Sequence, residues 1–485
     1  MLNEDCLLLI FDLLPLSDRI SCEAVCTSWN IISKKTWRKI KVVNMLELVR
    51  SIWDRKPLIS DMEFILSRTS KTLTTLNLSD CSFPNLEEDI SHILELLDGD
   101  LKNLIINDLF ESVLKKKVIQ TLLKHCPNLK HLSLVQTEFK DNSLQSLLDH
   151  LPQLESLNVA RNEIPVDFMT HCPSLLKLDI TDCQLQAFTF GNHFDIVTEF
   201  STSLQNSSVE DLSVSPEMIY GDFSMPKLKA LTITCCDRST PAPTAIDFSG
   251  VPLLEELTVH VAKPFLIQSE NLKSVSRSCP MLKKLSVECL NDKDVICRVP
   301  THSDSILCLD SFLKTLESFT HLQHLNISYF QFESSSCLKN IKKFKELSTL
   351  IMRTMDGIIC VDVLSDLVAN LPKLKHLDLS GSTLDQIGVP VEQVIRSIES
   401  EPATSRPIIE IVIGECYLEM AQDENLKIGR FVIVNENRSL PSFDNCSEFY
   451  NSDNSFYSSD FDFYSEDSDD DYDDWDEPYC AYDFN

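Results

Sequence analysis

HCPNLKHLSL, from His125 to Leu134, decides how this chain is read. A His-Cys pair ahead of a proline has the look of half a metal site. Yet HCPSLLKLDI follows at His171 to Ile180, and SCPMLKKLSV at Ser278 to Val287. The His is exchanged for Ser while the leucine spacing persists. A phrase copied in that way is a scaffold unit before it is chemistry.

Aligned on its apolar positions, the unit is L-x-x-L-x-L-x-x-[C/N/T]-x-[LFI]. Leu73, Leu76, Leu78, Cys81 and Phe83 fill it once, and Leu129, Leu132, Leu134, Thr137 and Phe139 fill it again. Thirteen copies start at Leu73, Leu101, Leu129, Leu154, Leu175, Val209, Leu228, Leu254, Leu282, Leu322, Leu347, Leu374 and Ile408. The fourth and sixth slots are two residues apart, so on an extended strand both side chains point to one face. Between strands the period lengthens. Ile119, Leu122, Leu123 and Cys126 stand at helical spacing, as do Leu364, Leu367, Val368 and Leu371. Pro127, Pro152 and Pro372 end such stripes. Cys126 holds the place that Leu151 and Leu371 hold elsewhere, and reads as a small buried hydrophobe. Neither His125/Cys126 nor His171/Cys172 has the CxxC or HxxxH company of a structural metal site.

A strand-plus-helix unit cannot bury its own face and must stack on its neighbours. The pattern resembles leucine-rich repeats of the longer, ribonuclease-inhibitor-like and Cys-containing kinds. That resemblance implies an α/β fold: a right-handed βα solenoid over residues 71–420, its parallel strands lining the inside of a curve. It also implies that the ninth slot (Cys81, Cys183, Cys236, Cys416) satisfies backbone groups as the chain leaves each strand. Spacings of 21 residues before Leu175 and 40 before Leu322 predict an irregular arc with projecting loops.

Residues 1–40 do not fit the template, and 41–70 read as a helical linker or repeat cap. Leu7, Ile10, Phe11 and Leu14 make one helical face with Asn3 as N-cap, and Pro15 ends it. Ser17 is the expected cap of a second helix reaching Val25 and Cys26. Thr27 or Ser28 caps a third that starts near Trp29. The stretch resembles an F-box, L-P-x-E-[LV]-[LV]-x-x-I-[FL]-x-x-L followed by V-C-x-x-W. Leu2, Asp5, Leu7, Ile10, Phe11, Leu14, Val25, Cys26 and Trp29 match it without gaps. Asn3 stands where the family has Pro, and Arg19 where Leu is common. The resemblance implies docking on a Skp-type adaptor and, through it, a cullin-RING ubiquitin ligase. Leu2, Ile10, Leu14, Pro15, Val25 and Trp29 are the positions it marks as adaptor-facing or supporting. The repeats would then hold a protein substrate.

The formal net charge is −31. Fifteen acids and no base fall in 441–485, leaving −16 on the preceding residues. Nucleic acid is a poor partner for such a balance, since Lys and Arg supply most of the affinity for phosphates. From about residue 435 the like charges predict a disordered acidic tail, with Ser465 and Ser468 open to acid-directed phosphorylation. No run is long and apolar enough for a membrane span, and no basic leader opens the chain, so a cytoplasmic or nuclear protein with 18 reduced cysteines is expected. There is no G-x-S-x-G, HExxH or glycine-rich phosphate loop, hence no catalytic role and no cofactor is expected.

Slots 3, 5, 7 and 8 face away from the leucine core. Acids outnumber bases there: Asp80, Asp108, Asp179, Asp182, Glu256, Glu288 and Asp378 are among ten, against Arg161, Lys177, Lys284 and Arg353. That bias favours a partner with a basic segment. His324, Asn326, Tyr329, Arg353, His376 and Asp378 cluster on consecutive late strands and form the expected substrate contact patch. The competing reading is a non-ligase repeat scaffold whose acidic tail engages histones or phosphatases.

Overall fold

The computed structural model describes residues 3–434 except 46–57, 80, 82, 108–114, 138–142, 166, 187–199, 201, 206, 220–222, 236–246, 262–268, 290–308, 329, 331, 333, 356, 387–389, 399–406, 415, 417–424 and 429–430. The expected acidic tail and its two serines therefore lie outside the described residues, as do Leu2 and Tyr329.

Three short helices open the chain: α1 (Glu4–Leu13), α2 (Leu16–Val25) and α3 (Thr27–Thr36). Asn3 caps α1, its Oδ1 accepting from the Cys6 amide at 2.8 Å, a bond that a proline could not make. The other two starts differ from the sequence expectation. Pro15, not Ser17, precedes α2, because a fixed φ suits the entry to a helix and no side-chain cap is made. Cys26 precedes α3, which begins at Thr27 and so takes in Ser28 and Trp29. The trio has its own small core of Phe11, Cys22 and Ile32, against which Leu7, Leu8, Leu14 and Trp29 pack. Trp29 meets Phe11 edge-on, ring centroids 5.1 Å apart.

Arg19 ties this trio together. Its guanidinium donates to Asp12 O at 2.7 Å, Leu14 O at 2.9 Å and Thr36 O at 3.3 Å, the orphan carbonyls that end α1 and α3. Burial pushes its pKa down, partly offset by Asp12, yet an arginine stays charged. Trp37 follows α3 and belongs instead to the long core. It is 1% exposed, donates to Glu23 at 2.6 Å and meets Phe64 edge-on at 6.0 Å.

The rest is a stack. Among the described residues sixteen strands form one sheet, parallel from Val42–Asn44 through Thr75–Asn77 and on to Ile409–Val412 and Phe431–Val434. Asn425–Ile428 then pairs antiparallel with Phe431–Val434 and forms the far edge. The sheet thus begins earlier and ends later than residues 71–420. All thirteen copies bury their fourth- and sixth-slot side chains. A backbone ladder runs through the second slot, where one carbonyl accepts two amides of the next strand. Lys41 O takes Thr74 and Thr75, Lys102 O takes Lys130 and His131, and Ser348 O takes Lys375 and His376. The last copy keeps the frame from Ile408, with Ile411 opposite Leu377, but its first slot is open: Ile408 is 59% exposed and the neighbouring Ile409 is buried instead.

The return segments follow the spacing. Longer copies have helices, such as Lys116–His125 and Val361–Asn370, and the 21-residue copy has only a 3-10 turn at Phe168–His171, while the two 25-residue copies differ, with an α-helix at Ser143–Leu148 and a 3-10 run at Ser335–Lys343. At slot eight the chain turns left-handed in five copies: Gln136, Arg161, Asp182, Thr354 and Gly381 all have positive φ. Slot nine then donates back. Asn162 Nδ2 reaches Leu134 O at 2.7 Å, Cys183 Sγ reaches Val159 O at 3.0 Å, and Cys416 Sγ reaches Leu379 O at 2.9 Å. Among the described residues no helix is long and apolar enough to cross a membrane.

Candidate docking surfaces

Among the described residues of the helical trio, five large aliphatic side chains stand in the open. Leu9 is 67% exposed, Ile10 41%, Leu13 86%, Val25 60% and Ile31 58%. Leu9 and Leu13 are one helical turn apart and lie opposite Phe11, so they point away from the trio's core. They also fall at the free positions of the motif, which is why motif matching passed over them. A helical wheel drawn around Phe11 finds them. Of the residues singled out from sequence, Ile10, Val25 and Pro15 are exposed, while Leu14 and Trp29 are half-buried supports. Leu16 and Ile20 instead pack on the repeat core.

On the solvent face of the sheet, the late patch is brought together in register. His324, Thr349, His376 and Glu410 form one row, and Asn326, Ile351 and Asp378 the next. Arg353 Nε donates to Asp378 Oδ2 at 2.8 Å, and His376 Nδ1 lies 3.5 Å from Glu410. The polar residues here are not equally available. Asp378 is fully buried, its Oδ1 accepting from the Ser380 amide and hydroxyl. Asn326 does the same for Ser328 and is 3% exposed. What this patch offers from outside is His324, His376 and the rim of Arg353.

The four bases noted on this face all have acidic neighbours. Lys177 bonds Asp211 at 2.9 Å, Lys284 bonds Glu256 at 3.2 Å, Arg161 lies 3.9 Å from Asp182, and Arg353 holds Asp378. The hydrogen bond to Asp211 raises the Lys177 pKa. Asp179 is shifted up by burial, with Asp182 and Asp211 adding to the effect. The four bases are thus matched one by one, and the excess on this face stays acidic. Asp80 and Asp108 lie outside the described residues, as does the Glu288 side chain.

The cysteines of the opening phrase are inside. Burial pushes the Cys126, Cys172 and Cys279 thiols up to about 12. The described residues bring no three of His, Cys, Asp and Glu into a metal-holding group.

Residues 4–42 match the family model of the F-box-like domain. The chain therefore joins an F-box-like domain to a stack of leucine-rich-repeat type. Many solved structures are similar at low identity, three of them as follows. The yeast Rad7 and Elc1 complex matches at 15% identity over 87% of this chain and 96% of that one, TM-score 0.43. The TLR13–ssRNA13 complex matches at 14% over 81% and 56%, TM-score 0.37. The plant peptide hormone receptor RGFR1 with RGF2 matches at 15% over 80% and 53%, TM-score 0.30. The chain spans about half the length of the last two. No curated protein matches.

Proposed function

We propose that this chain is a substrate receptor of a Skp–cullin–F-box ubiquitin ligase: the helical trio docks on a Skp-type adaptor and the repeats hold a protein substrate. The observation that carries the reading is the open apolar surface of Leu9, Ile10, Leu13, Val25 and Ile31 on a trio that already has a complete core. Exposed aliphatics of this number on a small unit are a partner's contact before they are anything else. The chain itself performs no chemistry in this reading. It raises the local concentration of a substrate lysine near a ubiquitin-charged subunit. The exposed late-strand groups, His324, Arg353 and His376, are the proposed substrate contacts.

Co-purification with a Skp-type adaptor and a cullin tests it. Deleting the trio is the wrong control, because its Leu16 and Ile20 pack on the repeat core. Leu9→Asp with Leu13→Asp changes only outward side chains. The wild-type chain should retain adaptor and cullin, and the double variant should lose both by at least tenfold. Adaptor without cullin would reduce the reading to an adaptor-bound scaffold. Neither partner, with an intact wild-type fold, would discard it in favour of a free repeat scaffold.

A further inference from the structure

We propose that the outward side of α3 ends in a cationic strip, Lys34, Arg38 and Lys41, which takes an acidic segment of the partner docked on the trio. The inference rests on the adaptor reading above and adds the chemistry of one contact to it. In α3 the inward side is Ile32, Ser33 and Thr36, all buried, with Trp29 half-buried beside them. The other side runs Thr27, Ile31, Lys34, Lys35 and, through the 3-10 turn Trp37–Lys39, Arg38. All five are exposed. That side thus changes from aliphatic at Ile31 to cationic one helical turn later. Lys41, exposed at the entry to Val42–Asn44, extends it. Thr72 Oγ1 donates to Ile40 O at 2.9 Å, which brings the exposed Lys71 to the same end of the trio.

Residues 34–41 hold five bases and no acid, and no other eight consecutive residues of the chain hold five bases. Residues 1–41 have six bases against five acids, leaving −32 on the other 444. Two of the five cations are spent inside the trio, Lys35 on Glu4 and Lys39 on Asp12. Glu23 accepts from Trp37 Nε1 at 2.6 Å. Asp5 and Asp18 stand in the first turns of α1 and α2, where the helix dipole favours them. Lys34, Arg38 and Lys41 have no carboxylate partner among the described residues. Lysines at the strand entries of later repeats do have one, as in Lys229 with Glu210 and Lys283 with Glu255. The C-terminal dipole of α3 gives a reason for Lys34 and Lys35, but Arg38 and Lys41 lie beyond its reach.

Carboxylates suit this strip better than phosphates do. A nucleic acid or an anionic membrane would also meet the −32 carried by the rest of the chain. A protein seated on the exposed aliphatics needs only one short acidic run near the end of α3. From Ile31 to Arg38 the rise is about 10 Å at 1.5 Å per helical residue. That is about one Debye length at 0.1 M ionic strength, so the attraction acts before contact and shows chiefly in the association rate.

The test is the association rate of the full chain with a Skp-type adaptor, followed on a sensor surface in about 50 and about 500 mM salt. The rate should fall by about tenfold or more over that range. Lys34→Glu with Arg38→Glu and Lys41→Glu should slow association about tenfold at the lower salt and flatten the salt dependence. Dissociation should stay within about threefold and Tm should not move, because all three side chains are exposed. Lys116→Glu with Lys117→Glu and Lys124→Glu puts the same charge change on exposed positions of Lys116–His125, and should alter the rate by less than about twofold. Carbodiimide coupling of the wild-type complex should join Lys34 or Lys41 to an Asp or Glu of the adaptor. Adaptor binding that ignores salt, or equal slowing by the two triple variants, would overturn the strip while leaving the adaptor reading in place. No adaptor binding by the wild type would overturn both. Retention of the wild type on phosphatidylserine vesicles, lost in the first triple variant, would assign the strip to a membrane and overturn the proposal as well.

Discussion

At the scale of single residues, slot eight shows what the turn out of each strand demands. Thr354 has φ +46 and Gly381 φ +71, one repeat apart. A β-branched residue pays for that conformation where glycine does not. The two are also neighbours: a Cβ built on Gly381 would meet Thr354 Oγ1 at 2.7 Å. Gly381→Ala should therefore destabilise by about 2 kcal/mol, from backbone strain and this contact together. Thr354→Gly should be close to neutral or stabilising, by about 1 kcal/mol or less. The informative quantity is the coupling. Gly381→Ala should cost less in the Thr354→Gly background, and additive effects in urea denaturation would show that the contact does not matter. The left-handed turn itself was hidden in the sequence, because Gln, Arg, Asp, Thr and Gly share no signature at that slot. Asn326 and Asp378 were likewise legible as polar but not as buried, since the serine two residues on takes them inward.

At the scale of elements, the strands were readable because slots four and six must point one way, and thirteen copies repeat the demand. The frame holds even in the last copy, where Ile411 pairs with Leu377, although there Ile409 and not Ile408 supplies the first buried side chain. The strand Val42–Asn44 was read as part of a helical cap, since two valines are too short a pattern to show a period of two. In the N-terminal trio the apolar register was visible, but the work of Arg19 was not. A sequence shows an arginine where leucine is common; only three dimensions show Asp12, Leu14 and Thr36 ending at one point. Bonds from a charged donor to such carbonyls are worth roughly 1.5–3 kcal/mol in mutational series. Arg19→Met keeps the apolar stem and deletes the bonds. Amide exchange in residues 4–36 should then quicken by about tenfold or more, while strands such as His131–Ser133 keep their protection. Equal acceleration across the repeats would show that the trio and stack open as one unit.

At the scale of the whole molecule, one core runs from Trp37 through every repeat to Phe431 and Ile433, so stability is shared along the stack. Buried thiols recur in it. Cys126, Cys172, Cys183 and Cys279 all have pKa values pushed up to about 12, against an ordinary 9.0. The sign of the consequence is fixed by linkage. A folded-state pKa above the unfolded one means that the folded chain holds its thiol protons longer. Their stabilisation is complete below pH 9 and is lost as pH climbs from 9 towards 12. Each thiol gives up about 1.4 kcal/mol per pH unit in that window at most. Lysine and tyrosine also titrate there, so a melting curve of the wild type alone does not isolate the effect. Cys126→Ala with Cys279→Ala should lower Tm at pH 7.5 through lost packing, and yet flatten its fall between pH 8.5 and 10.5. Parallel curves for the two proteins would show that these thiols ionise as they do in water, which a core position forbids. The same burial should spare them from alkylation at neutral pH while the exposed Cys6 and Cys26 react.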